Sequence, residues 1–297
     1  MTTRPYCADE AREAGEPLTA TASRIDHWLL VEYRGRWDRD ILAGSLLSEE
    51  LKAHLRGQLG RVARSRLLFI KQPERRTHTR RMLFAGVSTP GDERLHALEF
   101  ERYDDLLGFD FAAALEDGTP VEHPLLVVCT HGKRDRCCAR FGQPLYDALR
   151  READPAWVWQ SSHVGGDRFA ANLVMLPEGL YYGRVEPGGL APLLAEHAAG
   201  RIALEHYRGR SVYSFTVQAA ERAVRDAAGL AGIDDLAFAG AERSGDGWTV
   251  RFRDETAGAV HEVDVVRRLA DEARLLTCES PAPKRPLHCV AVAHRVL

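Results

Sequence analysis

The hydrophobic positions of the first third of the chain fall into short runs that predict strands and helices in alternation. Branched and aromatic residues concentrate in four runs, which predict strands. After the first of them, apolar residues recur at helical spacing behind a capping residue, Ser48, and predict a helix. A shorter amphipathic segment closes the stretch. These elements, in the order β-α-β-β-β-α, occupy 28–35, 49–62, 66–72, 82–88, 95–103 and 104–116.

The same order recurs further along the chain. It opens with the almost wholly apolar run 124–130, as expected of a strand covered on both faces. A helix, a second strand, a hairpin turning at Gly179 and a last helix are predicted at 141–152, 156–162, 172–185 and 189–200. We interpret the two stretches as tandem thioredoxin-like units of an α/β protein.

The last third has a different pattern, a helix followed by short strands, and predicts a small C-terminal α+β region. The helix is expected at 216–229 and the strands near 235–239, 247–253, 258–266 and 287–296. The predicted domains are therefore an N-terminal thioredoxin-like unit without metal ligands at 1–118, a second thioredoxin-like unit with the candidate ligands at 119–206, and the C-terminal region at 207–297.

Composition and charge exclude several classes of protein. The chain is 45% hydrophobic and 28% charged, and its net charge of -3 argues against nucleic acid as a partner. Its apolar runs are shorter than the roughly 20 residues of a membrane-spanning helix. The charged N-terminal stretch has no apolar core typical of a secretory signal. We therefore expect a cytoplasmic protein that binds neither membranes nor nucleic acids.

Three of the six cysteines lie within ten residues, in the sequence CTHGKRDRCC at 129–138. In a cytoplasmic protein such spacing favours metal binding or thiol chemistry over a disulfide scaffold. The other three, Cys7, Cys278 and Cys289, are scattered along the chain, and we expect them to be structural.

Donor groups follow two neighbouring predicted strands, at the point where each strand ends. Cys129 ends the first strand and His163 the second, so the two should lie about one strand spacing, roughly 5 Å, apart. Asp167 adds a carboxylate, and Gly165 and Gly166 leave room for backbone N–H groups to approach a bound group. Together with the thiols of the loop, these residues predict a metal site.

These motifs resemble the sucrase/ferredoxin-like family, whose relatives include thioredoxin-like ferredoxins. The resemblance rests on CTHGKRDRCC and SSHVGGDRFAANLVMLPEGLYYGRV, and extends to EAGEPLTATA (13–22), WLLVEYRGRW (28–37) and YRGRSVYSFTVQAAERAVR (207–225). In that family two cysteines and the two histidines of an HxGGH motif hold a [2Fe-2S] cluster. The resemblance implies Cys129, Cys138 and His163 as ligands, with Asp167 standing where the family has its second histidine.

Three alternatives remain open for the fourth position. Asp167 ligates iron directly as a harder, anionic donor, or Cys137 supplies the fourth bond, or the cluster is absent and the pocket serves another metal or thiol reaction. Neighbouring cysteines bind one cluster awkwardly, which favours Asp167 over Cys137.

Each candidate also has an ordinary structural role. Cys129 alone is typical of a small buried side chain, and Asp167 alone of a helix cap. Lys133 and Arg134 are typical of a solvated loop, although they would offset the negative charge of a cluster. With Gly165 and Gly166, they are the predicted contacts to the cofactor.

The resulting hypothesis is an electron carrier that exchanges single electrons with a reductase and an acceptor. Replacing thiolate with imidazole should raise its potential above that of all-cysteine clusters. The alternatives are a thiol–disulfide enzyme using Cys129 with Cys138 or Cys137, and a zinc-binding structural domain. Sucrase activity would require a positioned pair of carboxylates, which the sequence does not single out.

Overall fold

The computed structural model describes residues 5–297, which divide into two compact units. The central unit comprises Ile25–Gly165 and Ala171–Gly179, and the terminal unit comprises residues 5–24, Gly166–Ala170 and Leu180–Leu297. This division does not coincide with the predicted boundaries after residues 118 and 206, since the terminal unit gathers segments that are distant in sequence.

Six α-helices and fourteen β-strands occur within the described residues. The helices are α1 Cys7–Glu13, α2 Glu49–Arg61, α3 Phe111–Asp117, α4 Arg136–Glu152, α5 Leu190–Ala198 and α6 Phe215–Ala228. The strands are β1 His27–Glu32, β2 Ser65–Lys71, β3 Arg81–Val87, β4 Arg94–Phe100, β5 Thr119–Pro120, β6 Leu125–Cys129, β7 Val158–Ser161, β8 Leu173–Leu176, β9 Leu180–Tyr182, β10 Tyr207–Arg210, β11 Leu236–Ser244, β12 Gly247–Asp254, β13 Val260–Leu269 and β14 Leu287–Val296. None of these helices is long and apolar enough to cross a membrane.

The strands of the central unit form a mixed sheet in the order β8-β6-β7-β2-β1-β3-β4-β5. In its first half β1 is parallel to β2 and antiparallel to β3. In its second half β6 is parallel to β7 and antiparallel to β8, and the antiparallel pair β2 and β7 joins the halves. The protein is therefore a mixed α/β protein in which β1 and β6 each have one parallel and one antiparallel neighbour.

The first half of the central unit contains its elements in the predicted order. Ser48 caps α2 by accepting a hydrogen bond from the backbone N–H of Leu51 at 3.2 Å, as the sequence predicts. Leu51 and Leu55 are fully buried in one hydrophobic cluster with Leu29 and Val31 of β1. Burying each leucine side chain contributes about 1.5–3 kcal/mol, which holds α2 on the sheet.

Two helices differ from the sequence-based expectation. The segment predicted as one helix at 104–116 consists of a 3-10 helix, Tyr103–Gly108, followed by α3. The break occurs because Asp110 caps a new helix, accepting a hydrogen bond from the N–H of Ala113 at 3.0 Å. The short helix α1 was not predicted.

The terminal unit contains the predicted C-terminal helix and strands. Strands β11 to β14 form an antiparallel sheet in chain order, and β9 pairs antiparallel with β10. Val217 and Val224 of α6 share a hydrophobic cluster with Phe252 and Val263 of the sheet. The helix begins where Ser214 accepts a hydrogen bond from the N–H of Val217 and ends at Gly229, whose φ of 70° is a left-handed conformation that favours glycine.

Candidate metal centre

Strand β6 places Cys129 at the end of a wholly buried run of apolar residues. The backbone N–H of Cys129 donates to the carbonyl of Asn172 at 3.1 Å, and the residue is 1% exposed. Cys129 also stands opposite Ser161 of the parallel strand β7. The strand ends therefore meet at one edge, as the sequence predicts.

Helix α4 brings Cys138 to this edge. It begins at Arg136, not at residue 141 as predicted, because Asp135 caps it by accepting a hydrogen bond from the N–H of Cys137 at 2.8 Å. Cys138 therefore lies in the first helical turn and not in the loop that the sequence suggested, and it is 1% exposed.

The close approach of α4 to β6 depends on Gly142. A Cβ atom at this position would lie 2.1 Å from the carbonyl oxygen of Cys129 and 3.6 Å from the Cα of Thr130. Both neighbours are backbone atoms and cannot rotate away. Glycine therefore allows the first turn of α4 to lie against the end of the strand that carries Cys129.

Cys129, Cys138 and His163 converge. Their ligand atoms all lie within 4.8 Å of one another, and the Sγ of Cys138 is 3.8 Å from the Nδ1 of His163. His163 follows β7 and is half-buried, whereas both cysteines are inaccessible. The structure thus assembles two thiols and an imidazole from three segments of the central unit.

The surroundings of Cys129 favour its thiolate form. A hydrogen bond from Cys138 is the largest cause holding the pKa of Cys129 well below its usual value, against the opposing effect of burial. The imidazole of His163 and the backbone of His131 act in the same direction. A lowered pKa suits a metal ligand, because a cysteine binds metals as the thiolate.

His131 is a site residue that the sequence reasoning missed. It is 1% exposed, its Nε2 lies 2.8 Å from the carbonyl oxygen of Asp38, and its Nδ1 accepts a hydrogen bond from the N–H of His163 at 3.3 Å. These partners assign the neutral tautomer with the proton on Nε2. Burial lowers the pKa of His131, which agrees with a neutral ring. Its position two residues after Cys129 was the available signal.

Arg66 supports His163 from β2. Its Nη2 donates to the carbonyl oxygen of His163 at 2.6 Å. With His131 on the N–H, both backbone polar groups of His163 have side-chain partners. The backbone of His163 is therefore held on both sides, which fixes the position of the Cα atom that carries the imidazole.

The remaining predicted site residues lie in different surroundings. Asp167 is buried in the 3-10 helix Asp167–Phe169 of the terminal unit, and the N-cap of that helix is Gly166, so Asp167 is not itself the cap. Gly165 and Gly166 have φ values of 99° and 81°, conformations that favour glycine. Cys137 is buried in α4 but is not one of the three convergent residues. The assignments of Asp167 or Cys137 as fourth ligand, and of both glycines as cofactor contacts, stay predictions.

Lys133 and Arg134, the other predicted cofactor contacts, are exposed in the loop before α4. Two cysteines that looked scattered in the sequence are neighbours in the terminal unit, where the sulfur atoms of Cys7 and Cys278 are 3.7 Å apart and buried. Cys289, in β14, is half-buried.

The donor set fits a thiophilic metal group. Thiolate selects zinc, copper or iron–sulfur clusters, and imidazole suits iron and zinc. Two buried thiols, one of them with a lowered pKa, meet these requirements together with an imidazole. The central unit therefore contains a candidate thiol–imidazole metal centre at the end of a mixed sheet.

Comparison with known proteins gives the family. Residues 18–209, more than half of the chain, match the Sucrase/ferredoxin-like family, and the protein belongs to it. It is 30% identical over 112 residues to Altered inheritance of mitochondria protein 32 of Eremothecium gossypii, and 31% identical over 102 residues to the protein of that name in Clavispora lusitaniae. These matches cover 33% and 32% of this chain, and they span only 36% and 37% of the relatives.

Among solved structures, a cysteine-to-serine variant of the thioredoxin-like [2Fe-2S] ferredoxin from Aquifex aeolicus matches 30% of this chain and 100% of its own. The sequence identity is 17% and the TM-score 0.27.

Proposed function

We propose that the protein is a one-electron carrier with a [2Fe-2S] cluster bound by Cys129, Cys138 and His163, and that Asp167 provides the fourth ligand. The observation that carries the proposal is the convergence of two buried thiols and an imidazole within 4.8 Å in a member of the Sucrase/ferredoxin-like family. The cluster would supply the redox chemistry by accepting and releasing one electron. Its partners would be a reductase and an acceptor, and we place it in the cytoplasm.

The protein's own residues would do the rest. Burial of Cys129 and Cys138 keeps water from the thiolates, and the cap at Asp135 fixes the helical turn that presents Cys138. His131 and Arg66 hold the backbone of His163. Such partners around the ligands orient them and tune the potential of the bound metal.

We also propose that the two halves of the sheet are two tandem thioredoxin-like units of the same architecture. The support is the repeated pairing, in which β1 and β6 each have one parallel neighbour across a helix and one antiparallel neighbour. Only the second unit carries the three converging ligands.

The decisive experiment is metal analysis of protein purified without air. We expect iron and acid-labile sulfide in equal amounts and a visible spectrum that bleaches with dithionite. Cys138→Ser should lose both the iron and the colour, because it removes a thiolate from the convergent group. Cys289→Ser is the matched control, since Cys289 lies in β14 outside that group, and it should keep both.

The test separates this proposal from two alternatives. Zinc in a colourless protein would favour a structural zinc site, for which donors this close together are also suited. Loss of two hydrogen atoms on mild oxidation, measured by mass spectrometry in iron-free protein, would favour a Cys129–Cys138 disulfide. The contact between these two thiols supports that reading.

The role of Asp167 has its own test. If the carboxylate ligates iron, Asp167→His should retain the cluster while shifting its spectrum and raising its potential, because a neutral ligand replaces an anionic one. An unchanged spectrum would remove Asp167 from the ligand set.

A further inference from the structure

Basic side chains surround the candidate metal centre of the central unit. Two cavities, of about 470 and 480 Å³, share His131 in their linings. Each cavity contains three cationic side chains, and we call these six residues the basic rim: Arg39, Arg66 and Arg134 in the first cavity, and Arg36, Lys71 and Lys133 in the second.

The charge of the basic rim is largely unneutralised. Asp40 contributes the one carboxylate among the residues lining the two cavities. Across residues 5–297, no carboxylate forms an ion pair with the other five cations, namely Arg36, Arg66, Lys71, Lys133 and Arg134. The whole chain has a net charge of -3, so this excess of positive charge is local.

Lys71 illustrates how the rim is held. Its ammonium group lies 3.9 Å from the centre of the Trp37 ring, a cation–π contact. Burial, followed by repulsion from Arg76, lowers the pKa of Lys71. A negatively charged group placed at the rim would attract the ammonium group of Lys71 and so offset its repulsion from Arg76.

The basic rim also contains the accessible side of the metal centre. His163 lines the first cavity and is half-buried, whereas Cys129 and Cys138 are each 1% exposed. His163 is therefore the most accessible of the three candidate ligands, and a partner that approaches its imidazole meets the basic rim.

We propose that the basic rim is the docking surface for an acidic protein that exchanges the electron with the metal centre. The inference rests on the proposed function and adds the kind of partner. Complementary charge raises the association rate of two proteins and orients them, and here it would orient the partner over His163. The transfer itself moves one electron between the reduced and oxidised metal groups of the two proteins.

The test uses one redox protein in two charge states. Native cytochrome c is basic, and succinylation of its lysines makes it acidic while keeping the same haem. Association of each form with the purified protein is measured by surface plasmon resonance, which needs no iron in the central unit. Oxidation of the dithionite-reduced protein by each form is then followed by stopped flow at several ionic strengths.

We expect the acidic form to associate faster and to accept electrons faster, with both rates falling as salt is added. The triple variant Arg36→Gln/Lys133→Gln/Arg134→Gln removes three exposed charges and should slow association by about tenfold or more. Arg151→Gln is the matched control. It removes an exposed charge at the far end of α4, about 20 Å from Cys138, and should leave the rates unchanged.

Equal or faster association of native cytochrome c would overturn the proposal, as would an unchanged rate in the triple variant. The two readouts distinguish its failure from that of the proposed function. If protein purified without air contains no iron but binds the acidic form in a salt-sensitive way, the docking surface stands and the electron carrier fails. A bleachable cluster that reacts equally with both forms would give the reverse result.

Discussion

Substituting alanine for Gly142 tests whether the close contact between α4 and β6 builds the metal centre. In an ordinary helix this change stabilises the protein by up to about 1 kcal/mol. Here the new Cβ would lie 2.1 Å from the carbonyl oxygen of Cys129, where such contacts are normally about 3.3 Å. The backbone must therefore shift by about 1 Å, because no side chain can move away.

Overpacking of this kind costs about 1–3 kcal/mol, and a clash with backbone belongs at the upper end. Subtracting the gain in helix propensity, we expect Gly142→Ala to lower the free energy of unfolding by about 2 kcal/mol. The same shift separates the first turn of α4 from Cys129, so the variant should also retain less metal than the wild type.

Urea denaturation gives the stability, and metal analysis of the same samples gives the occupancy. Gly57→Ala is the matched control. Gly57 is an exposed glycine of α2 whose added Cβ would meet nothing within 4 Å, and that variant should be as stable as the wild type or more stable. A Gly142→Ala protein with wild-type stability and full metal content would refute the reasoning.

Two further predictions concern the terminal unit. Glu221→Ala should lower the free energy of unfolding, measured by urea denaturation, by about 3–5 kcal/mol, because it leaves the guanidinium of Arg225 buried without its carboxylate partner. The control is Glu196→Ala, at an ion pair in which both side chains are at least 40% exposed, and it should lower that free energy by less than about 1 kcal/mol. Hydrogen bonds from Arg295 are the largest cause lowering the pKa values of Glu262 and Asp264. Because their pKa values are lower in the folded state, these carboxylates stabilise the folded protein at neutral pH. That contribution disappears as the pH falls through their folded pKa values. Arg295→Gln should therefore be less stable than the wild type at pH 7 and approach it as the pH falls through the lowered pKa values of the two carboxylates, whereas a difference that is constant with pH would contradict this account.

The sequence predicted the parts of the fold that depend on local pattern. The run ending at Cys129 and the helix behind Ser48 were identified because burial on two faces and helical spacing are visible in a short window. The proximity of Cys129 and His163 was predicted because two consecutive parallel strands joined by a right-handed connection usually lie side by side.

What the sequence could not show depends on contacts between distant segments. Helix α4 begins five residues before the predicted residue 141, and the requirement for glycine at position 142 comes from the carbonyl of a neighbouring strand. His131 lies in the motif CTHGKRDRCC, and its role appears only when Asp38 and His163 are placed beside it. The pairing of Cys7 with Cys278 spans 271 positions and has no local signal.

The composition of the terminal unit has a consequence for the order in which the protein matures on the ribosome. The backbone N–H of Ala22 donates to the side chain of Gln218 at 3.1 Å, and the carboxylate of Glu10 accepts from the N–H of Leu275 at 3.0 Å. Residues 5–24 are therefore synthesised long before these two partners, while the central unit is complete once residue 179 has been added. Contacts to Glu16 form earlier, from Arg168 and Arg184, so the nascent segment acquires its native partners in stages as the chain grows.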